Sequence, residues 1–215
     1  MSDISNLGMS IKDAFLFLEP VFKDTAKLLT IVEDAMNKAK LVPVWGAVSV
    51  WDRSSAFYGD YGWIAQYLNR VYVPKPDPGQ KPNLSGKITL FFSIYFRPER
   101  INQPVIMYGV MKIHTEDGFW PFWHETMAQR SGPPFLNQDR SEEWARYEED
   151  EVPILEGMWY QVRPLVEIKD NNAVEKICGE VLKLFKESRN PSKSQNVTWG
   201  SPAEMRDEGS PEAGK

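Results

Sequence analysis

The chain has 215 residues, 42% of them apolar and 26% charged, and a net charge of −5. That length suits one well-buried core, and the apolar content excludes a wholly disordered chain. No apolar run approaches the roughly 20 residues of a membrane span, and the charge balance disfavours nucleic acid, which calls for a basic excess.

The first predicted element is a long helix. Ser10 is its expected cap, with Asp13 three residues on to complement it. Behind them Phe15, Leu18, Phe22, Thr25, Leu29, Val32, Met36 and Ala39 recur at steps of three and four, a heptad stripe. Pro20 predicts a kink or a break there, and Pro43 the end of the helix. The stripe suits packing on a sheet; part of it also suits a dimer seam, so a homodimer is one partner reading.

Strands are expected next. Val44 to Trp51 alternates, and Trp63 to Val73 is a second candidate that also fits a helix. After the loop PKPDPGQKPNLSG come two clear strands, Lys87 to Arg97 and Val105 to Thr115, expected as an antiparallel pair.

The run GFWPFWHE then gathers Phe119, Trp120, Phe122 and Trp123 around one proline. Its first reading is a proline-stiffened lid capping the sheet core. Its functional reading is a contact surface in which Trp120, Trp123, His124 and Arg130 bind a partner or ligand.

From Asp139 to Glu151 seven carboxylates face two arginines, a local charge of −5, so the rest of the chain is neutral overall. This run is expected to be an acidic helix capped by Asp139 and Glu142, with Trp144 and Tyr147 on its buried side. Met158 to Ile168 reads as a strand. Asn172 and Glu175 are the expected capping pair of a last helix that buries Val174, Ile177, Cys178, Val181 and Phe185. From Arg189 onward the chain is rich in Ser, Pro, Gly and Glu and reads as a disordered tail.

The chemistry is thin. His114 and His124, with Glu116, Asp117 and Glu125 nearby, match no recognised metal-ligand spacing. The ending GSPEAGK has phosphate-loop letters without the helix that must follow them. Cys178 sits among apolar neighbours at helical spacing and reads as an inert thiol; one cysteine permits no intrachain disulfide and suits the cytoplasm, as does the lack of an export signal.

Glu167-Ile168-Lys169 resembles the Glu-x-Lys element of nucleases of the PD-(D/E)xK type. The resemblance covers three residues. It implies a metal-dependent hydrolase or nuclease in which Glu167 and an upstream acid, Asp117, hold a cation while Lys169 steadies developing charge. The chain departs from that pattern, because Asp117 lies some fifty residues upstream instead of on the adjoining strand of a hairpin.

The expectation is an α+β fold: a two-layer, largely antiparallel sheet packed against N-terminal and C-terminal helices, with one domain over 1–188 and a disordered tail over 189–215. The leading function is a non-catalytic protein-interaction or small-ligand-sensing module without cofactor, with residues 119–130 and the acidic run as contact surfaces.

Overall fold

In the computed structural model, residues 3–44, 67–81, 84–96, 98, 101–114, 127, 133, 144–147 and 155–189 are described. They form an α+β fold. Helix α1 spans Asp3–Lys38, followed by β1 (Leu41–Pro43), β2 (Tyr67–Pro74), β3 (Ile88–Tyr95), β4 (Val105–Ile113), β5 (Ala145–Tyr147) and β6 (Leu155–Pro164). A 3-10 turn, Leu165–Glu167, leads into helix α2, Asn171–Ser188. The six strands make one sheet in the order β1-β2-β3-β4-β6-β5, and every pairing is antiparallel.

The sequences ITLFFSIY and VIMYGVMKI explain why β3 and β4 occupy the centre. Their apolar character is continuous, the mark of a strand buried on both faces, and nearly every position in them is buried. One face carries Leu90, Phe92, Ile94, Ile106, Tyr108 and Val110, which pack against both helices. The other carries Phe91, Tyr95, Met107, Met111 and Met158, and is buried as deeply. Two layers therefore describe the helix side only. The second face is met by Val44, Leu84, Ile101 and Met127, which lie outside the strands.

Helix α1 begins seven residues before the expected cap Ser10 and continues through Pro20. A proline there removes the hydrogen bond to the Leu16 carbonyl, but Pro20 is exposed and water is at hand for that oxygen. The helix ends at Lys38, ahead of Pro43. Lys40 at φ 59° turns the chain into β1, and Pro43 closes that strand. Among the described side chains of α1, the buried ones lie in its second half: Thr25, Leu28, Val32 and Met36 are buried, and Glu33 Oε1 accepts from Arg70 Nε on β2 at 3.0 Å. Helix α2 is capped by Asp170, whose carboxylate accepts from Ala173 N at 2.8 Å, two residues before the expected Asn172. Its predicted apolar face is buried, with Leu184 added.

The expected acidic helix needs correction at its centre. Ala145–Tyr147 is an edge strand on β6, with Ala145 opposite Tyr160 and Tyr147 opposite Met158. A spacing of three puts two residues on one helical face but on opposite faces of a strand. Trp144 accordingly joins the helix-side core and Tyr147 the other. Pairing with β6 satisfies the backbone, and Arg146 lies over the Trp159 ring at 5.5 Å, a cation–π contact.

Candidate functional site

Register decides where the polar residues of the central strands go. Asn69 on β2 stands directly opposite Ser93 on β3, which in turn stands opposite Met107 on β4. With a period of two, all three share the face that bears Tyr67, Val71, Phe91 and Tyr95, away from the helices. Asn69 is 2% exposed and Ser93 0%. Among the described residues neither amide atom of Asn69 has a hydrogen-bond partner. Each such group costs on the order of 1–3 kcal/mol relative to a solvated one. A carboxamide and a hydroxyl thus lie side by side in an apolar and aromatic floor, with the carboxamide's donor and acceptor capacity unused among the described residues.

Tyr95 lies two residues along from Ser93 on the same face, and against the larger effect of burial the Ser93 hydroxyl beside it lowers its pKa. Its hydroxyl donates to the Met127 carbonyl at 2.6 Å, and burial holds its pKa far above the ordinary value. The Tyr67 and Tyr95 rings lie 6.4 Å apart at 41°, a tilted aromatic pair at the edge of the polar spot. Met127 is fully buried in this face, so it fixes one residue of the 119–130 segment to the sheet. Trp120, Trp123, His124 and Arg130 themselves lie outside the described residues, as does Asp117.

A second polar cluster lies on the helix side. The Tyr108 hydroxyl has two acceptors, Gln161 Oε1 at 2.8 Å and Glu180 Oε2 at 3.2 Å, and Glu180 also pairs with Arg163 at 3.0 Å. The Trp144 ring packs edge-on against Tyr108 at 5.8 Å. Every charge here has an opposite within reach, so the cluster reads as a tie between sheet and helix.

The nuclease-like residues sit elsewhere. Strand β6 ends at Pro164, so Glu167 falls in the 3-10 turn and Lys169 in the loop before α2, both exposed. The expected strand end at Ile168 is thereby corrected. Among the described residues no group of three or more His, Cys, Asp or Glu side chains is arranged to hold a metal ion. His114 is exposed, with Nδ1 3.8 Å from Glu156 Oε1, and Glu156 also pairs with Lys112.

Sequence reasoning missed Asn69 and Ser93. The signal was present as single polar residues inside apolar strands, YLNRVYVP and ITLFFSIY, but only the register shows that they face each other. Comparison of the chain with protein-family models, with curated proteins and with solved structures finds no match.

Proposed function

We propose that this chain is a non-catalytic binding module that senses a small polar ligand on the sheet face opposite its helices. The observation that carries this reading is the buried Asn69–Ser93 pair, in which the Asn69 carboxamide has no hydrogen-bond partner among the described residues. An apolar pair at those positions would fold at lower cost, so the polarity calls for another purpose. A carboxamide beside a hydroxyl suits a ligand that presents donor and acceptor together: a primary amide, a carboxylic acid or a nucleobase edge. The tilted Tyr67 and Tyr95 rings supply flat apolar walls.

The segment from Phe119 to Arg130 is the proposed cover of this site, with Trp120, Trp123, His124 and Arg130 as its contacts. The support for that role is Met127, held beside the polar pair through the Tyr95 hydroxyl. A cytoplasmic setting belongs to the same proposal and draws on the single, buried, unoxidised Cys178.

A thermal-shift screen against nucleobases, primary amides and short carboxylic acids tests the reading. One class should raise the unfolding midpoint of the natural protein, as binding to the folded state requires. Asn69→Leu and Trp123→Ala should each abolish that shift with an unchanged circular dichroism spectrum. Unfolding of Trp123→Ala, or no shift with any class, would return the aromatic segment to the role of core lid.

A further inference from the structure

The first half of α1 is a different surface. A helix of 36 residues is about 54 Å long, whereas the longest strand, of 10 residues, spans about 33 Å. Among the described side chains of α1, partial burial begins at Leu18, and Phe22 meets Phe96 edge-on at 5.4 Å. From Lys12 to Phe17 every side chain is exposed. That stretch includes Phe15 at 67%, Leu16 at 57% and Phe17 at 70%, with Met9 also exposed two turns earlier. Three large apolar side chains in succession on a solvated helix are covered in use.

We infer that this overhang is a self-association surface, on which a second copy of the chain docks its own α1 antiparallel about a two-fold axis between Phe15 and Leu16. The charges select that occupant. Lys12 and Glu19 lie seven residues apart, on the same side of the helix as Phe15 and Leu16, and the midpoint between them is the midpoint between Phe15 and Leu16. Antiparallel pairing about that point sets Lys12 against Glu19 twice and Phe15 against Leu16 twice. A parallel pair would set lysine on lysine and glutamate on glutamate. An isologous interface requires this self-complementarity.

The overhang from Asp3 to Pro20 carries Asp3, Asp13 and Glu19 against Lys12, so it lacks the cationic face of a helix that lies on anionic lipid. Met9, Lys12, Leu16, Glu19 and Lys23 repeat at steps of three and four on the side opposite Thr25, Leu28, Val32 and Met36. Docking there leaves the contact between α1 and the sheet intact. Phe17, one position beyond Leu16, is rotated about 100° off the seam. This surface is separate from the ligand face, and neither proposal depends on the other.

Sedimentation equilibrium of the full chain, with Lys12→Glu, Glu19→Lys and the double swap, tests the register. The natural protein should sediment at twice the chain mass. Each single swap turns two attractions into two repulsions and should weaken the dimer about tenfold or more. The double swap should restore it, and Phe17→Ser should leave it unchanged. Leu16→Ser should give a monomer with unaltered helix content. A protein that is monomeric at all concentrations overturns the inference, as does a dimer indifferent to the single swaps or one dissociated by Phe17→Ser. A monomer that floats with phosphatidylcholine–phosphatidylserine vesicles through Phe15 and Leu16 overturns it as well.

Discussion

Glu180 Oε2 on α2 accepts a hydrogen bond from Arg163 Nη2 on β6 at 3.0 Å, a lateral tie between the C-terminal helix and the strand beside the sheet's β5 edge. The side chains are 34% and 29% exposed, so solvent screens much of their attraction. Tyr108 donates its single hydroxyl hydrogen to one of two acceptors, Gln161 or Glu180. A double-mutant cycle with Arg163→Met and Glu180→Gln, read by urea unfolding, should give a coupling of about 0.5–1 kcal/mol. Tyr108→Phe should cost about 1 kcal/mol, because the lost hydroxyl takes its one hydrogen from whichever acceptor it served.

Cys178 is buried between α2 and the sheet, and burial first, then the charge of Glu175, pushes its thiol from 9.0 up to about 12. Ellman's reagent at pH 8 should therefore react with the urea-unfolded chain and leave the folded chain unlabelled. The same shift sets a sign for stability. In the unfolded chain the thiol ionises first, so its contribution is complete below pH 9 and is lost as pH rises toward 12. Burial raises the hydroxyls of Tyr72, Tyr95 and Tyr108 in the same direction. The unfolding midpoint should hold level from pH 7 to 9 and fall above it; a rise there would contradict the burial of these groups.

Gly109 on β4 stands opposite Tyr160 on β6, where the two backbones leave no room for a side chain. A Cβ built there collides with the Trp159 carbonyl oxygen and comes within 2.8 Å of Tyr160 Cα, backbone atoms that side-chain rotation cannot move. Gly109→Ala should destabilise the protein by about 3 kcal/mol or more, or prevent soluble expression. Gly179→Ala, with open space around its Cβ on α2, should stabilise it by about 0.5–1 kcal/mol, measured in the same urea titration.

The central strands were legible because continuous apolar runs such as ITLFFSIY have few other homes than a sheet interior. Burial of both faces was implied by the same runs, although a two-layer arrangement leaves one of them to water. The centre of the acidic run misled because Trp144 and Tyr147, three apart, share a face only in a helix, whereas pairing with β6 drew Ala145–Tyr147 into a strand. The capping letters at Asn172 lost to the carboxylate of Asp170, and those at Ser10 lie inside a helix that already begins at Asp3. The polar pair could not be read at all, since Asn69 and Ser93 become neighbours only through a register set across 24 residues.

Unfolding free energy of the Asn69→Leu/Ser93→Ala double variant, measured by urea titration without added ligand, bears most directly on the claim that this pair is kept for binding. The unpartnered carboxamide and the hydroxyl beside it are removed together, so the account predicts a protein more stable than the natural one by about 1–3 kcal/mol. A loss of stability of that size would mean that the pair supports the fold, and would contradict the proposed ligand face.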